Sequence, residues 1–171
     1  MSLRTSGTAA DGPAPRRGAK RGIVPRVTVQ VEVLSEATDE AVEAFGRLLP
    51  QLSRSAPPLD KAALAQIIAA PASTLLIARS DDGAIAGTLT LVMFPIPTGL
   101  RAWIEDVVVD DAAGRQGIGS ALTLEALRLA REAGARTVDL SSRPSRVAAG
   151  KLYEKLGFQT RETRMYRYPL A

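Results

Sequence analysis

Residues 103–122 constrain this chain more than any other stretch. They read Trp-Ile-Glu-Asp-Val-Val-Val-Asp-Asp-Ala-Ala-Gly-Arg-Gln-Gly-Ile-Gly-Ser-Ala-Leu. Leu100 to Asp110 reads as a strand, and Ile118 to Ala133 repeats apolar residues at helical spacing until Gly134 stops it. A strand therefore runs through a short glycine-rich loop straight into a long helix. The first turn of such a helix presents unpaired N–H groups at the positive end of its dipole. Glycines there let an anion approach the backbone, which makes a phosphate or pyrophosphate site. The same residues also suit an ordinary tight turn that needs glycine for positive φ. Two nucleotide-binding patterns fail on the residues. A P-loop needs a lysine where Gly119-Ser120-Ala121 stands, and a dinucleotide fingerprint needs glycine at 122, which is Leu122.

The flanking sequence supplies the rest of a sheet. Val27, Val29, Val31 and Val33 alternate with polar residues in a strand from Val27 to Leu34. Thr38 and Asp39 offer N-caps for a first helix, and Asp60 opens a second through Ile68. Ser73 to Arg79 is a strand, Asp81-Asp82-Gly83 a hairpin turn, and Ala84 to Phe94 the next strand, followed by the Pro95/Pro97/Gly99 turn. After the long helix come a short strand at Thr137 to Ser141, a helix from Ser145 to Leu156 stopped by Gly157, and a last strand from Phe158 to Tyr168. The order is β-α-α-β-β-β-α-β-α-β. Hairpins followed by a βαβ crossover predict an α/β (α+β) fold: a mixed, mostly antiparallel sheet with helices on both faces.

Composition narrows the chemistry. The chain has 171 residues, which fits one domain, and contains neither cysteine nor histidine. Disulfides, thiolate metal sites, a cysteine nucleophile, a histidine base and a histidine triad are thereby excluded. Proton transfers must use carboxylates, tyrosine, lysine or water, and no metal is expected. Residues 1–26 carry six cations (Arg4, Arg16, Arg17, Lys20, Arg21, Arg26) against Asp11. The formal charge of the whole chain is +4, so residues 27–171 are left near −1. The charge excess reads as a flexible basic tail over 1–26, ahead of a single domain over 27–171, rather than as a nucleic-acid face. No apolar run reaches membrane-spanning length and the start lacks a secretory apolar region, so a cytoplasmic location away from membranes is expected.

At the loop, the chain resembles the GNAT superfamily of N-acetyltransferases. The superfamily's pyrophosphate motif, Arg/Gln-x-x-Gly-x-Gly/Ala, matches Gly117-Ile118-Gly119 with the helix opening Ser120-Ala121-Leu122. A second match, Ala149 to Phe158, is similar to its Ala-x-x-Leu-Tyr-x-x-x-Gly-Phe segment. The resemblance covers residues 85–160 closely and the element order of 27–168 loosely, and it implies a six- to seven-stranded sheet. It departs from the pattern in two places. Gly114 stands where Arg or Gln is usual, with Arg115 and Gln116 following, and Arg146 stands where Asn is frequent.

The resemblance implies direct attack of a primary amine on the thioester of acetyl-CoA, a co-substrate, with no acyl-enzyme. It assigns the pyrophosphate to Arg115, Gln116, Gly117, Ile118, Gly119 and Ser120, and pantetheine pairing to the main chain of Val107 and Val109. Arg146 can reach a phosphate. Tyr153 matches the general acid; a phenol is protonated at neutral pH and can donate to a thiolate. It also belongs to the apolar stripe Ala148, Ala149, Leu152, Tyr153, Leu156, which suits a core position equally. Glu105 and Asp106 are adjacent carboxylates in an apolar strand. Glu105 is preferred as base because it shares strand parity with Trp103 and Val107, a preference that a bulge would upset. An arginine partner for either acid is the structural alternative. The acceptor, a small molecule or a peptide amine, is not legible. A homodimer is compatible with the resemblance and with the apolar last strand. A non-catalytic acyl-CoA-binding module is the other reading, and binding of nucleic acid by the tail a third of little weight.

Overall fold

The computed structural model of the chain describes residues 29–113 and 116–170. The basic tail and Arg115 lie outside the described residues. Five strands and four helices follow one another as β1 (Gln30–Val33), α1 (Asp39–Leu52), α2 (Lys61–Ala69), β2 (Ser73–Arg79), β3 (Ile85–Ile96), β4 (Gly99–Val109), α3 (Ile118–Glu132), β5 (Val138–Leu140) and α4 (Val147–Lys155). The helix starts are those that the sequence dictates. Thr38 Oγ1 accepts from the Ala41 amide at 3.1 Å, and Asp60 Oδ1 accepts from the Ala63 amide at 2.7 Å, so each cap satisfies a free N–H of the first turn. Gly134, at φ 80°, follows the end of α3 in the left-handed conformation.

The sheet runs β1-β2-β3-β4-β5, antiparallel through β4, with β5 added parallel by the α3 crossover. The mixed, mostly antiparallel architecture agrees with the sequence reading. Side chains alternate across β2: Leu75 and Ile77 pack with Ala41, Phe45 and Leu48 of α1 and with Leu64 of α2, whereas Leu76 and Ala78 join Ile118, Leu122 and Ala126 of α3. Helices thus cover both faces. Among the described residues no helix is long and apolar enough to cross a membrane.

The expected last strand is corrected. Residues 159–170 form neither strand nor helix, so among the described residues the sheet has five strands instead of six or seven. Gln159-Thr160-Arg161-Glu162-Thr163-Arg164 offers no apolar face to bury, and β5 is only three residues long as a template. Arg161 instead reaches Asp139 of β5 at 3.7 Å, and Tyr166 and Tyr168 remain 84% and 85% exposed.

Candidate active site

β4 changes character at Asp106. Upstream, Thr90 of β3 faces Glu105; downstream, Thr88 faces Val108, so β4 carries one extra residue between the two rungs. Asp106 adopts φ 49°, in the left-handed region that only short polar side chains and glycine enter readily. This is a β-bulge, and it reverses the alternation. Ile104 and Val107 both pack on the α3 side, while Val108 turns to the α1 side. Glu105 therefore shares a face with Trp103 but not with Val107, which corrects the parity read from the sequence.

β4 and β5 also part company here. Their pairing covers only Ala102–Ile104 against Val138–Leu140. Among the described residues, Glu105 to Val109 has no strand partner on that side. Its outward N–H and C=O groups lie free to bind an extended ligand by main-chain hydrogen bonds. Val107 and Val109 lie on this free stretch, and their side chains pack toward α3.

The start of α3 lies just beyond. Gly117 is its N-cap at φ 80° and ψ 9°, with no side-chain bond to the first turn. A Cβ on Gly117 would meet nothing within 4 Å, so this glycine is required by its φ and leaves open space in front of the helix. Gly119 differs: a Cβ there would lie 3.2 Å from Leu152 of α4 and 3.7 Å from Val109, so its bareness lets α3, α4 and β4 converge. Ile118 is buried in the core and Ser120 is half-buried. Gln116 Oε1 is buried with no hydrogen-bond partner among the described residues.

The approach to this loop is tied to α1, 60 residues away. Gln51 Oε1 accepts from the Asp111 amide at 2.9 Å, and its Nε2 donates to Asp110 Oδ1 at 3.4 Å. Arg47 donates to the Ile85 carbonyl at 3.1 Å and lies 3.8 Å from Asp110. Asp110 in turn accepts from the Ala112 amide at 3.0 Å. Nothing in the local sequence around Gln51 signals this brace.

A cleft of about 1430 Å³ opens between β5, α4 and the C-terminal segment. Trp103, Tyr153 and Arg146 line it, with Arg143, Lys151 and Arg164 adding positive charge. Tyr153 is half-buried and packs edge-on against Phe158, with ring centroids 5.7 Å apart. Burial raises the pKa of its phenol, opposed by the smaller effect of the Arg146 charge, so the proton is held through neutral pH. Glu105 has the indole of Trp103 as its partner rather than an arginine: Nε1 donates to Oε1 at 2.7 Å. Trp103 is thus a site residue that the sequence reading used only as a marker of parity. Among the described residues no cluster of acids could hold a metal ion.

The family model described as the acetyltransferase (GNAT) family matches residues 36–158. The chain is 33% identical over 147 residues to a glucosamine 6-phosphate N-acetyltransferase from Trypanosoma brucei brucei, covering 81% of this chain and 95% of that one. A crystal structure of a Trypanosoma brucei acetyltransferase superposes with a TM-score of 0.66 at 28% identity, over 84% of this chain and all of that one. The fold is also that of glucosamine-6-phosphate N-acetyltransferase from Arabidopsis thaliana, with a TM-score of 0.70 at 21% identity over 82% of this chain and 98% of that one.

Proposed function

The chain belongs to the GNAT family of acetyltransferases, and from that premise we propose that it transfers the acetyl group of acetyl-CoA to a primary amine without an acyl-enzyme. One observation carries the assignment to these residues. The N-terminus of α3 has a left-handed glycine cap, no side-chain cap and open space before it, next to a strand edge freed by the Asp106 bulge. Both features suit a ligand with a pyrophosphate and an extended arm. The amides of Ile118, Gly119 and Ser120 take the pyrophosphate, with Gln116 and Gly117 shaping the turn. Arg115, in the same loop by sequence, adds charge. The main chain of Val107 and Val109 pairs with the pantetheine arm, and Arg146 faces a phosphate from the cap position of α4.

The reaction forms an N–C bond and breaks the C–S bond of the thioester. The amine must lose a proton and the departing thiolate must gain one. Tyr153 supplies the second proton: its phenol stays protonated at neutral pH and lines the cleft. Glu105 takes the first, directly or through water, from the same face of β4 as Trp103. Neither role requires the missing cysteine and histidine.

The amine of an amino-sugar phosphate is the first acceptor to test. The 33%-identical relative is named for glucosamine 6-phosphate, and Arg143, Arg164 and Lys151 give the cleft charge that suits a phosphorylated substrate. Calorimetric titration with acetyl-CoA and CoA should give micromolar binding that Gly117→Glu abolishes, because the new carboxylate stands where the pyrophosphate would. Thiol release from acetyl-CoA should then depend on glucosamine 6-phosphate and not on glucosamine alone. No binding by folded protein would end the acetyl-CoA reading. Binding with turnover of other amines only would end the acceptor reading.

A further inference from the structure

We propose that Trp103 is a positioning residue for the base: its indole N–H holds the Glu105 carboxylate beside the cleft that Trp103 lines. The inference rests on the reading of Glu105 as base and adds a residue to it. Trp103 is anchored on both sides, since it sits on a rung opposite Val92 of β3 and another opposite Asp139 of β5. Glu105 is supported on the β3 side alone, opposite Thr90. It lies one residue past the end of the β5 pairing and one residue before the left-handed Asp106, and its side chain is exposed. An exposed glutamate has three free torsions and would spend little time in any one arrangement. The 2.7 Å bond to Nε1 transfers the rigidity of the paired strand to the carboxylate.

Two further points separate this from a bond that merely serves the indole. Trp103 is only half-buried, so solvent could take its N–H without help from an acid. The indole is also a donor only. It can fix one carboxylate oxygen but cannot itself carry the amine's proton, and Glu105 Oε2 keeps no side-chain partner among the described residues. Trp103 lines the cleft with Tyr153, so the base is bonded to a residue of the same wall that carries the acid.

The test is a double-mutant cycle in steady-state kinetics with acetyl-CoA and glucosamine 6-phosphate, or whichever amine of a mixed panel is acetylated. Glu105→Gln should lower kcat about a hundredfold. Trp103→Phe should lower kcat roughly five- to tenfold and leave KM for acetyl-CoA within about twofold. In the Glu105→Gln background, Trp103→Phe should change nothing further. An equal loss in both backgrounds, or no loss in the parent, overturns the proposal. An unaffected Glu105→Gln instead removes the base reading on which it rests. A second measurement needs no turnover. Trp103 is the only tryptophan, so its emission reports the bond directly. Glu105→Ala should alter the emission with circular dichroism unchanged, whereas Asp106→Asn, which keeps a side chain suited to the left-handed conformation, should not. Unaltered emission in Glu105→Ala overturns the proposal.

Discussion

Gly87 of β3 lies directly under Ile118, the first residue of α3: a Cβ on Gly87 would stand 2.8 Å from Ile118 Cγ2. Leu122 Cδ1 and the Val108 carbonyl oxygen would each be at 3.2 Å. The glycine sets how close the start of α3 comes to the sheet, and so where its free amides point. Gly87→Ala should lift that first turn. We expect a stability loss of about 1–3 kcal/mol by urea unfolding and a roughly tenfold weaker acetyl-CoA titration. Unchanged stability and affinity would mean that Ile118 simply turns aside.

Tyr153→Phe keeps the ring against Phe158 and removes the proton donor. Acetyl-CoA affinity should stay within about twofold while kcat falls about a hundredfold. Burial raises the folded-state pKa above the ordinary 10.0, so the acid is intact at neutral pH and is lost only as pH rises through that raised value. An alkaline limb in kcat above pH 10 should be present in the parent and missing in the variant. A limb that survives in the variant belongs to another group.

Gln51→Leu preserves helix α1 and side-chain size but removes both contacts to Asp110 and Asp111. The cost should be about 1 kcal/mol of stability. KM for acetyl-CoA should rise roughly three- to tenfold with kcat unchanged, because the brace acts on the approach to the pyrophosphate loop and on nothing that reacts. A fall in kcat at constant KM would place Gln51 elsewhere in the mechanism.

Arg79 joins three elements: it bonds Glu32 of β1 at 2.9 Å, Glu40 of α1 at 2.6 Å and the Gly83 carbonyl at 2.8 Å. The glutamates are about half exposed, so Arg79→Met should cost only about 1 kcal/mol at neutral pH. The bond from Arg79 holds the Glu40 pKa below its ordinary 4.5. Its contribution is therefore present above that value and lost as pH falls through the lowered one. Melting temperatures of parent and variant should differ near pH 7 and converge near pH 3; a constant difference would mean that Arg79 acts by packing alone.

Much of this molecule was legible in its residues because local rules governed it. Thr38 and Asp60 announced two helix starts, Ser73 to Arg79 was bounded by turn formers, and Gly117-Ile118-Gly119 marked the junction of strand and helix. What stayed hidden depended on distant partners. The bulge at Asp106 leaves no mark in a run of valines, and it moved Val107 to the face opposite Glu105. Gln51 looks like any polar residue near a helix end until the fold brings Asp111 to it. The last strand failed for the converse reason: Tyr166 and Tyr168 have strand propensity, but the polar stretch before them gives the sheet nothing to bury.

The reversal at Asp106 makes the place of one residue outside the ladder the quantity that this strand must keep. Flattening Asp106 into the regular ladder would restore strict alternation along β4 and swing Val107, Val108 and Val109 to the wrong sides together. Val108 would leave the α1 core while Val107 and Val109 entered it. That slip would be a frameshift in three dimensions, whereas a single-codon deletion at 106 would leave the three valines on their present faces, with Val108 still opposite Thr88, and remove the bulge alone.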